Sequence, residues 1–550
     1  MTNLNIYGIV SAEKCFSKPE DSNNKINEVR NKMSFLSTFR LYFFIVGFLA
    51  VTFLLELLFS GYEKYRLYNA LENLILAFGL LSFCRLIFPK KRWSLFQVII
   101  CIFTLLIVLL EGAYFLILDA VFSPSAIFIA METNVSETLE FAQDYFSFNV
   151  LFYVFVILAA GIFMIRYEAI RSSDLNFKWL YYVGVLGAII GLRHPLIYPQ
   201  NLPFTLSTGV IDYWATSFEL NKQKANKYGG FTDVGADLSG DELYVFIIGE
   251  STNRNHMQIY GYGRETNPKL TALQDELTIF KDVISSHAYT IASLTRALRL
   301  TDKIKDGNII QLLNAASFDT FWLSNQAPIG LYETLVTKIG MTAHSTKFTS
   351  SETWFYKAPH DDVVLPHFKK VVKKEGSKVI FVHLLGTHGA YYMRYPDNYK
   401  KFDPDLKLSK DPKVDHYDNA VLYNDYIVSE IISITKAQAQ KSFVLYFSDH
   451  GEEVFDEIDY AGHSVDQNIT KNMFEVPFVL WQSKAFQKAQ NIEQNTNIKF
   501  SLENLSHAIA DLCGVQSNTI DYSRSLFNKN FEPSPRIILD SLDYDLKLAN

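Results

Sequence analysis

The most specific short motif in this 550-residue sequence is Ser448-Asp449-His450-Gly451-Glu452. A carboxylate oxygen beside an imidazole nitrogen favours Zn²⁺ or Mn²⁺. Gly451 allows a sharp backbone turn, which would let Asp449 and His450 point to the same side. The structural alternative is that Asp449 caps the next helix while His450 lies on the surface. The motif therefore indicates a metal site, with a helix cap as its competitor.

A carboxylate also follows the apolar run Leu243 to Ile248, which ends in Gly249 and Glu250. Six β-prone residues bounded by glycine predict a buried strand, and open α/β sheets place their ligands at the carboxyl ends of strands. Alone, Glu250 also fits a solvated turn. The run Phe443 to Phe447 precedes Ser448 in the same way. Two strands that both end in metal-ligand residue types favour a convergent site.

A nucleophile is expected near such a metal, and Thr290 is the candidate. It lies in the hydroxyl-rich stretch Ser285 to Leu294, where a helix over Ile291 to Leu300 is predicted to begin. The positive end of the helix dipole and a coordinated cation would both lower the pKa of the hydroxyl. An ordinary helix cap is the competing interpretation, and it predicts no metal contact.

Three histidines lie in or after the predicted strands. His388 follows the strand Val379 to Leu385, and His463 follows the loop that carries Asp449. Either could hold a phosphate oxygen or move a proton to or from an alkoxide. His383 lies inside the strand and is predicted to be a core histidine with satisfied hydrogen bonds.

From Asp241 onward, predicted strands alternate with helical stretches such as Asn419 to Thr435. The strands are Leu243 to Ile248, Val379 to Leu385, Phe443 to Phe447 and Phe478 to Leu480. This alternation favours a largely parallel sheet covered on both faces. Residues 200–240 are predicted to be a connector with one helix over Val210 to Lys227. Cys513 is the only cysteine after the apolar region, which excludes an internal disulfide there.

The first part of the chain contains five apolar blocks. They are Leu41 to Ser60, Leu71 to Pro89, Trp93 to Leu110, Tyr145 to Ile165 and Trp179 to Pro199. About 20 apolar residues span a bilayer core as a helix, so five spans are predicted, at about 38–60, 69–89, 93–117, 145–166 and 178–197. Buried globular helices are the alternative, and five repeats of this length argue against them.

The charges between these blocks predict their orientation. The amino-terminal tail, residues 1–36, and the links Pro89 to Arg92 and Arg166 to Lys178 are basic, whereas Ser123 to Asp144 has no lysine or arginine. The positive-inside rule places the tail in the cytoplasm and everything after about Pro199 outside, in the periplasm or exterior. The net charge of −7 and the absence of a basic tract indicate no nucleic-acid partner.

With these residues in this order behind five spans, the chain resembles the membrane-bound phosphoethanolamine transferases of Gram-negative bacteria. The most specific pieces are Gly249 to Arg254, Gly386 to Gly389, Arg394 to Pro396, Tyr417 to Asn419, Tyr423 to Asp425 and Ser448 to Glu452. The resemblance implies a multi-domain protein: a five-helix α transmembrane domain, 37–199, and a periplasmic α/β/α domain like alkaline phosphatases and sulfatases, 241–545.

The resemblance also implies roles for residues. Glu250, Thr290, Asp449 and His450 would bind one catalytic Zn²⁺, and Thr290 would carry phosphoethanolamine covalently. Two more pairs are implied by the family: His388 and His463 would contact the phosphate or a second metal during turnover, and Thr133 and Glu137 would hold the ethanolamine head. Ile129 stands where the family has an asparagine in that loop.

The implied reaction is a ping-pong transfer from phosphatidylethanolamine to lipopolysaccharide or a related glycan, by a multi-pass protein of the bacterial inner membrane. Two features depart from the members that modify lipid A. The soluble part lacks their disulfides, and Trp322 to Gln326 runs into Ala327 rather than into their lysine between cysteines. These departures favour a core sugar such as heptose as acceptor over lipid A.

Three alternatives remain at this point. A transferase of the same superfamily could move glycerol phosphate from phosphatidylglycerol. A sulfatase is disfavoured because its Cys or Ser-x-Pro-x-Arg signature is absent around Thr290. A catalytically silent lipid or glycan sensor would have no need of Glu250, Asp449 and His450 together.

Overall fold

The computed structural model describes residues 42–59, 64–118, 148–168, 178–194, 201–302, 305–326, 335–349, 359–406, 409–438, 440–464, 468–490 and 495–548, with residue 492 and isolated positions between 122 and 147. The chain forms two compact units. The first comprises Met1–Leu116 and Asn149–Leu202, and the second Ile117–Phe148 and Pro203–Asn550.

The first unit contains apolar helices. They are α1 (Tyr42–Phe59), α2 (Lys64–Ile87), α3 (Trp93–Leu118), α4 (Phe148–Glu168) and α5 (Trp179–Leu192). By length and composition, α1 to α4 can each cross a membrane. With 14 residues, α5 is shorter than a span, so the predicted fifth crossing stays a prediction.

The second unit is built on a seven-stranded sheet in the order β3-β13-β10-β2-β9-β7-β8. Its strands are β2 (Glu242–Gly249), β3 (Leu277–Ile279), β7 (Asp319–Ser324), β8 (Ser345–Phe348), β9 (Lys378–His383), β10 (Lys441–Ser448) and β13 (Phe478–Gln482). The pairs from β10 to β8 are all parallel, and β13 is antiparallel to both of its neighbours. The predicted largely parallel sheet is thus confirmed, although β9 ends at His383 and not at Leu385.

Short strand pairs surround this sheet. They are β1 (Val234–Ala236) with β15 (Val515–Ser517), β4 (Asp282–Ile284) with β14 (Lys499–Ser501), β5 (Arg299–Asp302) with β6 (Lys305–Asn308), β11 (Glu453–Val454) with β12 (Ala461–Gly462), and β16 (Ile537–Ile538) with β17 (Leu542–Asp543).

Helices cover both faces of the sheet. They are α6 (Leu202–Ala225), α7 (Pro268–Ala272), α8 (Thr290–Leu298), α9 (Ile309–Ala315), α10 (Leu335–Gly340), α11 (Leu365–Val371), α12 (Pro412–Lys436), α13 (Lys484–Ala489), α14 (Leu505–Leu512) and α15 (Tyr544–Lys547). The predicted connector helix begins earlier than expected, at Leu202. The predicted helix Ile291 to Leu300 begins at Thr290 and ends at Leu298, because the next residues pair as strand β5.

The core explains why β2 carries no polar residue in its centre. Tyr244, Phe246 and Ile248 enter one hydrophobic cluster with α8, α9 and α14, whereas Leu243 and Val245 enter a second cluster with α11 and α12. A strand that is buried on both faces reads as a continuous apolar run, which is how it was recognised in the sequence.

Residues of the segment 117–148 that the structure describes belong to the second unit. Met131 packs against the first hydrophobic cluster of that unit. The Tyr392 hydroxyl donates a hydrogen bond to Gln143 Oε1 at 3.4 Å. The link between the third and fourth apolar helices therefore contributes to the unit that holds the sheet.

Candidate active site

Two adjacent parallel strands bring the predicted carboxylates together. Gly249, the last residue of β2, pairs with Ser448, the last residue of β10. Glu250 and Asp449 therefore leave the sheet at the same level and the same edge. The Asp449 amide donates to the Gly249 carbonyl at 3.1 Å, which extends the pairing by one residue. The carboxyl edge of the sheet holds the site, as open α/β sheets require.

Thr290 is the first residue of α8, and its side chain reaches the same place. The Thr290 hydroxyl donates to Glu250 Oε1 at 2.8 Å and lies 3.4 Å from His450 Nε2. Ser293, one turn further along α8, donates to the Asp449 carbonyl at 2.5 Å and ties the helix to the strand tip. The cap residue of α8 is Tyr289, and the Thr290 side chain contacts Glu250.

The hydrogen bonds of Asp449 and His450 leave one ligand atom of each available. His450 Nδ1 donates to the Gly451 carbonyl at 2.7 Å, so Nε2 carries the lone pair in the neutral ring. Asp449 Oδ1 accepts from the amides of Ser251 and His450 at 3.0 and 2.7 Å. Asp449 Oδ2 has no hydrogen-bond partner among the described residues and lies 3.5 Å from His450 Nε2. Asp449 Oδ2 and His450 Nε2 therefore belong to the same small volume.

Charge in this buried cluster is balanced by shared protons. Burial and the neighbouring Glu250 carboxylate raise the pKa of Asp449 to about 8. Burial opposes the charge of His450, but Asp449 and the hydrogen bond to Glu250 raise its pKa to about 10. Burial likewise opposes ionisation of Glu250, yet the contact with His450 holds its pKa below the ordinary value. One anion, one neutral acid and one cation sum to zero, which is what a buried site tolerates.

This donor set fits a zinc ion. Glu250, Asp449 and His450 are fully buried, and each offers one ligand atom within 4.8 Å of the others. The Thr290 hydroxyl adds a fourth, at 2.8 Å from Glu250. Oxygen and nitrogen donors in a group of four suit Zn²⁺. Exchange of two protons for a dication leaves the net charge of the cluster unchanged, so burial penalises the loaded site no more than the empty one.

His463 and His388 lie beside this group. His463 Nδ1 is 2.8 Å from Glu452 Oε2, and the Tyr391 hydroxyl donates to the other oxygen of Glu452 at 2.6 Å. The rings of His463 and His450 are 4.5 Å apart. His450, Glu452 and His463 form a second group that could hold a metal ion. Burial lowers the pKa of His388 to about 4, so that ring is neutral at pH 7.

The expectation for His383 needs correction, and the structure adds a second reason for the glycine at position 451. His383 is buried in β9, as predicted, but only Nδ1 has a possible partner, Ser324 Oγ at 3.4 Å; Nε2 has none among the described residues. Asp449 and His450 do point to the same side next to Gly451, which itself has no positive φ. A Cβ there would lie 2.1 Å from the Asn472 carbonyl oxygen, so glycine is needed because two loops pass too closely for a side chain.

Thr133 is described and partly buried, whereas Glu137 lies outside the described residues. Their implied role in holding the ethanolamine head therefore stays a prediction.

Gln326 is a site residue that the sequence did not single out. It follows β7, and its amide donates to Glu250 Oε2 at 2.9 Å and to the Leu384 carbonyl at 3.2 Å. Glu250 thus has one oxygen toward Thr290 and the other held by Gln326. Gln326 reaches the tip of β2 because β7, β9 and β2 are consecutive strands of the sheet. This strand order cannot be predicted from the local sequence around Gln326.

We expect Gln326→Leu to weaken zinc binding by roughly 10- to 100-fold, because partners that orient a metal ligand typically contribute that much. Competition with a zinc chelator, using the full-length protein in detergent, measures the affinity. Gln516→Leu, the same change at an exposed position of β15, is the control. Equal zinc affinity in both variants would show that the hydrogen bond from Gln326 to Glu250 does not contribute to zinc binding.

Hydrogen bonds to Asp361, which were also not predicted from the sequence, fix the loop after β9. Asp361 accepts hydrogen bonds from the amides of Leu385 and Gly386 at 2.8 and 2.9 Å and from the Asn325 side chain at 2.9 Å. Gly386 has φ +55°, and a Cβ there would lie 2.7 Å from the Glu250 amide nitrogen. The loop that carries His388 is therefore packed directly on the backbone of Glu250.

We expect Gly386→Ala to lower the free energy of unfolding by roughly 2–4 kcal/mol, since it adds both backbone strain and a clash with main-chain atoms. Urea unfolding followed by tryptophan fluorescence measures the loss. Gly389→Ala is the matched control: three residues later a Cβ meets no atom within 4 Å. Similar losses in the two variants would contradict the packing argument.

The comparisons with known proteins agree with this architecture. The sulfatase family matches residues 242–515. The crystal structure of the C-terminal periplasmic domain of EptC from Escherichia coli, in complex with Zn, is 33% identical, with a TM-score of 0.54, over 58% of this chain and 96% of that one. The integral membrane protein lipooligosaccharide phosphoethanolamine transferase A from Neisseria meningitidis shares the fold, with a TM-score of 0.64 at 18% identity, over 90% of this chain and 98% of that one.

The match and the fold thus define a sulfatase-family domain that follows a set of apolar helices in the sequence. Relatives that match most of this chain identify its family within the sulfatase-type proteins. Phosphoethanolamine transferase EptC of Escherichia coli is 31% identical over 87% of this chain and 89% of its own length. Phosphoethanolamine transferase CptA of Salmonella typhimurium is 30% identical over 78% and 81%. The chain belongs to the phosphoethanolamine transferase family.

Proposed function

We propose that this protein transfers phosphoethanolamine from phosphatidylethanolamine to lipopolysaccharide through a phosphoethanolamine-Thr290 intermediate. The observation that carries the proposal is the Thr290 hydroxyl, hydrogen-bonded to Glu250 at 2.8 Å and 3.4 Å from His450 Nε2. Such an alcohol, in contact with a buried carboxylate beside further metal-ligand residues, is an activated nucleophile. The EptC and CptA relatives bear the name of this activity.

In the first step, Thr290 Oγ1 forms a bond to the phosphorus of the donor while the bond from phosphorus to the glycerol oxygen breaks. The hydroxyl proton already points at Glu250 Oε1, which is placed to accept it. Zinc held by Glu250, Thr290, Asp449 and His450 would stabilise the negative charge that develops on the phosphoryl oxygens. The products of this step are diacylglycerol and phosphorylated Thr290.

The glycerol oxygen leaves with a proton, and His463 is the better placed donor. Glu452 fixes its Nδ1 at 2.8 Å, so Nε2 is the nitrogen that can exchange protons. In the second step an acceptor hydroxyl gives its proton to the same nitrogen and bonds to phosphorus. The Thr290 oxygen is released and recovers its proton from Glu250. His388, neutral at pH 7, is proposed to donate a hydrogen bond to a phosphate oxygen.

The wider setting is also proposed. Residues 37–199 would cross the bacterial inner membrane five times, 200–240 would connect, and 241–545 would catalyse in the periplasm, beside a lipid donor. The apolar helices α1 to α4 support a membrane anchor. We propose that Thr133 and Glu137 bind the ethanolamine ammonium group, and that the acceptor is a core sugar such as heptose in preference to lipid A.

The test is a transfer assay with the full-length protein in detergent. It is supplied with rough lipopolysaccharide and either ethanolamine-labelled phosphatidylethanolamine or glycerol-labelled phosphatidylglycerol. Ethanolamine label on the lipopolysaccharide, in the core fraction after mild acid hydrolysis, is expected. Label in lipid A instead would overturn the acceptor assignment. Glycerol label, or no label at all, would overturn the proposed reaction.

A further inference from the structure

A polar cavity lies inside the first unit, among apolar helices. Five polar side chains line it, and each is at least nine-tenths buried. They are Thr52 and Glu56 on α1, Asn69 and Asn73 on α2, and Glu111 on α3. No step of the proposed reaction uses these residues. Charged groups within apolar helices are costly, so they mark a functional site by default.

The hydrogen bonds leave the cavity short of positive charge. Asn73 Nδ2 donates to Glu111 Oε2 at 2.6 Å and to Asn69 Oδ1 at 3.3 Å. The Tyr153 hydroxyl approaches Glu56 Oε1 at 3.3 Å. Glu111 Oε1 has no hydrogen-bond partner among the described residues. The donors that reach the two carboxyl groups in these contacts are neutral.

A nearby arginine does not line the cavity. The Arg66 guanidinium donates to the backbone carbonyl of Glu56 at 2.9 Å and lies over the Phe115 ring at 4.4 Å. In these contacts the Arg66 guanidinium is close to Glu56. The hydrogen bond to the Glu111 carboxyl group comes from the neutral side-chain amide of Asn73.

The donors and the size of the cavity determine what it can hold. Its lining offers carboxylate, amide and hydroxyl oxygens, the ligands that hard cations prefer. The cavity has room for about one water-sized occupant. An ethanolamine head is too large for that space, and a chloride or phosphate would meet two carboxyl groups. A dehydrated metal ion satisfies both the size and the charge.

We propose that Thr52, Glu56, Asn69, Asn73 and Glu111 form a binding site for a small hard cation that links α1, α2 and α3. The site is separate from the zinc ligands, all of which belong to the second unit. It binds monovalent or divalent ions by the same oxygens, and the ion stabilises the helix packing by neutralising Glu111.

Thermal unfolding of the zinc-loaded full-length protein in detergent tests the site. Chloride salts of sodium, lithium, potassium, magnesium and calcium are compared at equal ionic strength with N-methylglucamine chloride, whose cation is too bulky to enter. A saturable rise of about 3 °C at ten times Kd is expected for at least one small cation. The effective salts show whether the ion is monovalent or divalent. Equal melting temperatures in all salts would mean that the cavity holds water and protonated acids.

Variants assign the effect to this cavity. Glu111→Gln is expected to abolish the cation-dependent shift, and Glu56→Gln provides a second test if that variant does not fold. Thr104→Val is the control, because Thr104 is another buried polar residue of α3 but does not line the cavity. A shift that persists in both cavity variants, or that disappears in the control as well, would overturn the assignment.

Discussion

Thr290→Ala should lower the rate of phosphoethanolamine transfer by about 10⁴-fold or more, the scale seen when a covalent nucleophile is removed. The hydroxyl of Thr290 is the alcohol that contacts Glu250 and lies beside His450, and alanine leaves no atom in its place. The measurement is transfer of labelled ethanolamine to lipopolysaccharide. Intact-mass analysis of wild-type protein incubated with phosphatidylethanolamine alone should show one added phosphoethanolamine, and the variant should show none.

The same helix offers a control. Thr295→Ala makes the identical change five residues along α8, at a hydroxyl with no hydrogen-bond partner among the described residues. We expect near wild-type transfer from it. Thr290→Ser keeps an alcohol and should retain measurable activity, with an adduct of the same mass increment. An adduct on the alanine variant would place the nucleophile elsewhere, and full transfer without any adduct would indicate direct transfer.

The site residues that could be predicted from the sequence are those that belong to local sequence patterns. The apolar runs that end at Gly249 and Ser448 predicted two buried strands, and parallel pairing in register then placed Glu250 and Asp449 together. Thr290 was identified because it opens a helix after a hydroxyl-rich loop. Strand tips and helix starts are local features, so their residue types could be interpreted without the fold.

The residues that sequence missed act across the sheet. Gln326 and Asp361 contact the site only because β9 lies next to β2 and β7 lies next to β9, and this strand order follows from long-range packing. Gly451 was singled out for the turn that it allows, whereas the structure shows a further need for glycine: the Asn472 carbonyl, 21 residues later in the chain, leaves no room for a side chain. Close approach between distant segments leaves no pattern in one sequence.

Zinc binding should release at least about two protons at pH 7 and should weaken by about 100-fold for each unit that the pH falls below 7. Without metal, Asp449 has a raised pKa of about 8 and His450 one of about 10, so both hold a proton at pH 7. Zinc requires the carboxylate and the neutral imidazole. Glu250, whose pKa is lowered, has no proton to lose. Ionisation of Thr290 on binding would add to the count.

Calorimetric titration of zinc into chelator-treated full-length protein measures this count, when repeated in buffers of different ionisation enthalpy. Asp449→Asn provides the internal check, because it removes one of the two titrating groups: its release should fall by about one proton as its affinity drops. Release below one proton in the wild type, with an affinity that does not change between pH 6 and pH 7, would mean that the metal-free cluster is already deprotonated. Exchange of protons for zinc would then not govern binding. The pKa values of Asp449 and His450 would not be raised, and the metal-free cluster would not be neutral at pH 7.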